Sequence, residues 1–344
     1  MYKGNGISKE QLSDRGEPCI LYGELYTKYK SEVISEVVSK TNIDTKKLVR
    51  SKANDVIIPC SGETAEDIAT ARCVPYDNIL LGGDLNIIRL HDTEGSFMSY
   101  QLNGKRKYDI AKVAQGVSVV HLYGEHLKGV KTYVPCVEEQ KKIARLLSLL
   151  DERIATQSKI IDKLQSLIKG IAHRISKQDK SNIRLSECLQ CSSSTLQESD
   201  VAEVGSYPVY GANGVVGYLD TYNTTDEAIY IIKDGSGVGS VSYINGKCSA
   251  TGTLNILQAK DGFSLRYLYF MLKVFSFEPY KTGMAIPHIY FKDYGKAKIF
   301  CPPYELQNKY ADLLSKIEQK AIAEQKILDN LCSQKQYLLR QMFI

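Results

Sequence analysis

The chain has 344 residues, 43% hydrophobic and 24% charged, with a formal net charge of +5. This composition excludes wholesale disorder and leaves room for two domains at ~100–200 residues each. There is no run of ~18 apolar residues and no apolar core behind Met1, so neither a transmembrane helix nor a secretory leader is expected, and the reading is cytoplasmic.

In chain order, residues 1–137 read as a mixed domain in which β-branched runs at 55–59 and 78–81 predict strands broken by turns. From Ile143 to Ile175 apolar residues recur at steps of three and four, which predicts an amphipathic helix over 138–175 that begins behind Pro135. Residues 138–180 carry ten basic and six acidic groups, so most of the positive excess sits there. Residues 181–303 read as a second mixed domain, with strands at 183–185, 228–232 and 239–244 and a helix at 265–275. A second apolar stripe, from Leu313 to Met342, predicts a helix over 305–342 behind Pro302-Pro303. The nine cysteines are scattered singly, which predicts reduced thiols. Twenty-three tyrosines and no tryptophan favour half-wet recognition faces over a purely apolar core.

The decisive feature is an internal repeat. A shift of 167 positions lays 116–175 on 283–342 without a gap, and seventeen of the sixty pairs are identical. Unrelated chains of average composition would share roughly 3 or 4. The pairs include Gly116/Gly283, His121/His288, Tyr123/Tyr290, Gln140/Gln307, Leu147/Leu314 and Ile160/Ile327. Upstream, Gly83-Asp84-Leu85-Asn86-Ile87 resembles Gly252-Thr253-Leu254-Asn255-Ile256, and Tyr22-Gly23 pairs with Tyr210-Gly211. The chain is therefore a tandem duplication divided as 1–137, 138–180, 181–303 and 304–344. Each helix would be ~54 Å long at 1.5 Å per residue, too long for the core of one small domain. Its equal partner is its own repeat. The expected fold is α+β: two tandem mixed α/β domains separated by two long helices that form an antiparallel coiled coil.

Several motifs point elsewhere and fail on chemistry. Cys301-Pro302-Pro303-Tyr304 resembles an amino-methyltransferase signature, but a thiol cannot accept from the target amine as an amide or carboxylate does. Gly235-Ser236-Gly237-Val238-Gly239 resembles a nucleotide loop, yet a strand follows where a dinucleotide site needs a helix. Cys188 and Cys191 have no second Cys or His pair at zinc spacing. No catalytic residue, metal or cofactor is assigned.

The helix residues Glu138-Glu139-Gln140-Lys141-Lys142-Ile143-Ala144, Leu149-Leu150-Asp151-Glu152-Arg153-Ile154 and Ile160-Ile161-Asp162-Lys163-Leu164 resemble the spacer helix of type I restriction–modification specificity (S) subunits. So do residues 3–10 and 18–26, Ala250-Thr251-Gly252-Thr253-Leu254 and Thr282-Gly283-Met284-Ala285-Ile286-Pro287-His288-Ile289. The resemblance covers nearly the whole chain. It implies two target-recognition domains, each reading one half of a split sequence in double-stranded DNA, on helices that space the halves and dock methyltransferase subunits, two of them, with restriction/motor subunits joining. It implies a subunit without catalysis of its own and without a membrane. Alternatives are a coiled-coil scaffold with two protein- or glycan-binding domains, a stand-alone methyltransferase, and a truncated or silent specificity cassette. Aligned on the Tyr-Gly pairs, the strand at 183–185 has its counterpart ahead of residue 1, so the first domain is expected to lack its opening strand.

Phosphate contacts need Lys, Arg or small polar groups, and base contacts need forked donors and acceptors. In the first domain the expected DNA contacts are Lys3, Asn5, Lys9, Tyr26, Lys28, Tyr29, Lys30, Lys105, Arg106, Lys107, Gln115 and Ser118, with Lys28/Lys30 interleaved with Tyr26/Tyr29 as the strongest patch. In the second they are Tyr210, Asn213, Lys233, Ser236, Ser240, Thr251, Lys281, Thr282 and His288.

Overall fold

The computed structural model describes residues 1–343. The chain divides into two compact units: Met1–Ser158 together with the chain from Lys326 onward, and Lys159–Gln325. The first holds β1 (Tyr2–Lys3), β2 (Glu17–Ile20), β3 (Asp55–Pro59), β4 (Arg72–Val74), β5 (Leu80–Leu81), β6 (Leu85–Ile88) and helix α1 (Gly95–Asn103). Strands β1, β6, β3 and β4 form an antiparallel sheet in that order. Every residue of β3 is buried, the apolar run Val56-Ile57-Ile58 in the interior of the sheet and Asp55 paired with Arg89 (2.8 Å). A second sheet sets β2 parallel to β5, with Ile20 opposite Leu81.

The first long helix, α2, runs over Val137–Ser176. After it the chain adds β7 (Ile183–Arg184), β8 (Leu189–Ser193), β9 (Tyr207–Gly211), β10 (Gly214–Leu219), β11 (Ala228–Ile232), β12 (Val241–Ile244), β13 (Ser249–Ala250), β14 (Leu254–Ala259), α3 (Leu265–Val274) and β15 (Lys298–Ile299), all in the second unit, and the second long helix α4 (Tyr304–Gln341), which returns to the first from Lys326. The pattern of the first unit returns. Strands β8, β14, β11 and β12 form an antiparallel sheet, and β9 lies parallel to β13.

Ladder register corrects the sequence alignment at one point. Ile20 stands opposite Leu81 as Tyr210 stands opposite Ala250, so Ile20, not Tyr22, occupies the place of Tyr210. The two Tyr-Gly pairs are out of register because the turns behind them differ. Strand β9 returns at once through Ala212-Asn213, whereas β2 leads into a short helix at Glu24–Thr27. The strands expected at 78–81 and 239–244 begin later, at Leu80 and Val241. Asn78 and Gly239 take positive φ (64° and 90°), which closes a turn rather than extending a strand.

The long helices pair antiparallel. Asp151 meets Lys335 and Gln178 meets Tyr310, so residue numbers fall along one helix as they rise along the other. In the first unit Ala144 and Leu147 are buried with Leu339 and Phe343 against Phe97 and Tyr100 of α1. In the second, Ile168, Ala172 and Ile175 are buried with Ala311 and Leu314.

Two polar contacts recur on the same repeat positions. Gln140 accepts from the Glu94 amide and donates to the Pro135 carbonyl, each at 2.8 Å. Gln307 accepts from the Ser264 amide (2.9 Å) and donates to the Pro302 carbonyl (2.8 Å). The Tyr100 hydroxyl donates to Asp151 (2.8 Å), and the Tyr269 hydroxyl donates to Glu318 (2.6 Å). Lys335 lies buried between Asp151 (2.5 Å) and Glu32. Burial pulls its pKa down, but the two carboxylates outweigh that and the net shift is upward.

Three variants test this seam by urea denaturation. Leu147→Ala should cost ~2–5 kcal/mol, and Leu146→Ala, on the exposed face, under ~0.5 kcal/mol. Lys335→Ala strands two carboxylates and should cost ~3–5 kcal/mol near neutral pH. Because the folded pKa of Lys335 lies above its unfolded value, this contribution is complete below the ordinary lysine value and is lost as pH rises through the folded one.

Candidate nucleic-acid interface

Each unit carries the same small hairpin, built from the first matched residues of the repeat. In the first, Gln115 and His121 exchange both main-chain hydrogen bonds (2.9 and 2.7 Å), and in the second Thr282 and His288 do so at the same distances. Gly116 and Gly283 sit at the turns with φ of 118° and 87°. A Cβ at either would run into a carbonyl across the turn, that of Val119 or Ile286. Only glycine meets both demands.

The base of each hairpin is tied to the chain two residues past a sheet strand, β3 in the first unit and β11 in the second. His121 pairs through its main chain with Ser61, and its Nδ1 lies 3.3 Å from the Ser61 hydroxyl. His288 bridges to Asp234, and its Nδ1 lies 2.6 Å from Asp234 Oδ1. The Gly235 amide donates to the Pro287 carbonyl (3.0 Å), so the glycine-rich turn between β11 and β12 braces the hairpin. Beyond this base the tips are bare: Val117 is 97% exposed and Met284 fully so, with Val119 and Ile286 more than half exposed.

In the second unit this construction brings together six of the expected contacts: Lys233, Ser236, Ser240, Lys281, Thr282 and His288 lie on the hairpin, the residues leading into it, and the turn bracing it. Ser236, Ser240 and Thr282 are exposed, and Lys281 is drawn onto Glu278 (2.5 Å). Asn213 is exposed at the β9–β10 turn. Tyr210 is half-buried edge-on to Tyr230. Thr251 is a correction. It is buried and bonds to Thr253, because residue 251 joins β13 to β14 inside the domain.

In the first unit Gln115 and Ser118 lie on the hairpin. Ser118 and Tyr26 line a cleft of about 680 Å³ together with Tyr22, Glu63, Asp67 and Arg72. The Tyr26 hydroxyl donates to the Ser61 carbonyl (3.0 Å), and burial raises its pKa well above the ordinary tyrosine value. The expected Lys–Tyr patch is largely dissolved. Tyr29 is a core residue, and Lys28 is held by Glu24 (2.7 Å) and Ser39 (2.8 Å). The short helix turns Glu24 and Lys28 onto one side, which strict Lys–Tyr alternation does not reveal. Lys30 stays exposed. Lys3 lies exposed on edge strand β1, Asn5 bonds to the Lys47 carbonyl (3.3 Å), and Lys9 is exposed. Lys105, Arg106 and Lys107 form a separate group away from the hairpin. Lys105 and Lys107 border a recess with Leu339 and Arg340, and Arg106 faces Asp109 at 3.5 Å.

The remaining suggestive motifs take structural roles. Cys301-Pro302-Pro303 joins β15 to α4, and the Cys301 amide donates to Asn182. Cys188 is buried in the core, which pushes its thiol up to about 12. Among the described residues no three His, Cys, Asp or Glu side chains are grouped to hold a metal.

A family model described as "Type I restriction modification DNA specificity domain" matches residues 3–166 and again residues 178–332. The chain belongs to this family. A protein of Mycoplasma pneumoniae named as a type I specificity subunit is 31% identical over 121 residues, 33% of this chain and 40% of that one. Another, from Mycoplasma genitalium, is 24% identical over 287 residues, 75% of this chain and 73% of that one. In fold, the chain is similar to the solved S subunit of a type I restriction–modification system from M. genitalium (TM-score 0.66, 20% identity, 100% of this chain and 93% of that one). The two matched segments of the specificity family each contain one hairpin. No helix among the described residues is long and apolar enough to cross a membrane.

Sequence reasoning missed the apolar tips and the histidine partners Ser61 and Asp234. The tips were legible as a shared Gly–apolar–small–apolar run (Gly116-Val117-Ser118-Val119; Gly283-Met284-Ala285-Ile286). Gly116→Ala and Gly283→Ala should each destabilise the unit that contains it by ~1–3 kcal/mol, read as faster amide exchange at His121 or His288.

Proposed function

We propose that the chain is the DNA-reading, non-catalytic subunit of a cytoplasmic type I restriction–modification assembly, with each unit reading one half of a split sequence in double-stranded DNA. The observation that carries this reading is the pairing of two specificity-family segments with two units that share a frame and differ in what they expose. A frame used twice with different surfaces reads two different half-sites. The polar residues around the hairpins and the exposed Lys3, Lys9, Lys30 and Lys105 supply the base-edge and phosphate contacts.

The chemistry is left to partners. Leu146 and Leu313 hold the same repeat position and are 49% and 48% exposed; Ile160 and Ile327, also matched, are 38% and 43% exposed. Identical apolar residues bared twice suit one kind of partner docked twice, here two methyltransferase subunits, with restriction/motor subunits joining them. The chain itself takes no cofactor or metal.

The test is co-purification with the neighbouring methyltransferase subunit, followed by genome-wide mapping of methylated sites. Replacing residues 181–303 with those of another specificity subunit should change one half of the methylated sequence and leave the other intact. A change in both halves, or in neither, favours a protein- or glycan-binding scaffold. A net charge of +5 spread over two units neutralises few phosphates. The isolated chain should therefore bind DNA weakly, and Lys30→Ala and Lys105→Ala should each lower the salt slope of the complex by ~1 where the lysine meets phosphate.

A further inference from the structure

We infer that the two hairpin tips are apolar wedges, each pressed into a groove of the duplex against base faces: Val117 and Val119 in one half-site, Met284 and Ile286 in the other. The inference rests on the DNA-reading function proposed above and adds the element that enters the bases.

A single exposed apolar side chain on a protein surface is ordinary. Here the exposure is duplicated. Both tips stand on the same base, with the same exchanged main-chain bonds, the same left-handed glycine and a matched histidine bonded to the residue two past a sheet strand. Turn tips ordinarily carry Gly, Asn, Asp or Ser. These instead place large apolar groups on either side of a small residue, Ser118 or Ala285, with Val117 and Met284 fully solvated and Val119 and Ile286 more than half exposed. A fixed base with a bare apolar tip fits a surface that is concave and has apolar faces to offer. Proteins that part base steps insert apolar side chains, Phe, Leu, Ile, Met or Pro, in this way, offsetting the unstacking by the protein surface the bent duplex then covers.

The choice of DNA over a protein partner comes from comparing the two repeats. Where one partner is met twice, repeat positions keep the same residue, as at Leu146/Leu313 and Ile160/Ile327. At the tips the apolar character is kept and the identity is not: Val faces Met, and Val faces Ile. The supporting glycine and histidine match while the contacting residues differ, as expected of two modules that read different base steps.

The test uses the full chain assembled with its methyltransferase subunit, on the duplex defined by the wild-type methylation map. 2-Aminopurine placed at successive positions of each half-site should brighten at one step per half on binding. Met284→Ala/Ile286→Ala should abolish the signal in one half only and weaken binding by about tenfold or more. Val117→Ala/Val119→Ala should do the same in the other half only. Met284→Leu should restore the signal, and melting temperatures should be unchanged because these side chains are solvated. Tip variants that bind and brighten as wild type would overturn the wedge while leaving the half-site reading intact, as would variants that fail to assemble with the methyltransferase subunit. A wild-type complex that methylates no split sequence would overturn both.

Discussion

Two buried glutamines hold the architecture to its repeat. Gln140 and Gln307 each sit one turn inside a long helix, accept from the amide at the head of a domain helix, and donate to the proline carbonyl at the head of their own. A buried side-chain amide is costly unless its oxygen and nitrogen both find partners, so this geometry fixes where each globular layer joins its helix. The tyrosine–carboxylate contact further along, Tyr100 to Asp151 and Tyr269 to Glu318, fixes the second point. Two points determine a direction, and the rest of each unit follows from it.

On that fixed frame the two units diverge where divergence is tolerated. Between β2 and β3 the first inserts a short helix and two additional strands, at Ser39–Thr41 and Val49–Arg50, whereas between β9 and β11 the second has only the tight β9–β10 hairpin. The hairpin at 115–121 and 282–288 is kept, because its glycine, its exchanged main-chain bonds and its histidine form one cooperative piece. Its tip is exposed and differs between the two units. On the DNA-reading function proposed above, this division sets matched support beneath differing contacts.

The long helices and the duplication were legible in the sequence because helical periodicity and an ungapped repeat are both one-dimensional signals. Periodicity names a buried face but not its neighbour. The antiparallel pairing expected of the helices already sets the chain from Lys326 onward beside the start of the first, but nothing in the periodicity revealed that Lys335 would be buried between Glu32 and Asp151. The contact residues were less legible for a related reason. Tyr29 and Thr251 look like surface groups by type, yet a short helix in one case and a strand junction in the other turn them inward. Residue type alone does not give direction. The hairpin tips were overlooked for the opposite reason, since apolar residues are read as core until the turn beneath them is seen.

The account stands on one unit meeting one half-site through its hairpin. Photo-crosslinking measures this directly, with a crosslinkable amino acid at position 117 or position 284 of the assembled complex, on a duplex carrying the mapped split sequence. Position 117 should crosslink to one half alone and position 284 to the other half alone. Crosslinks from both positions to the same half, or from either to a protein subunit instead of DNA, would contradict it.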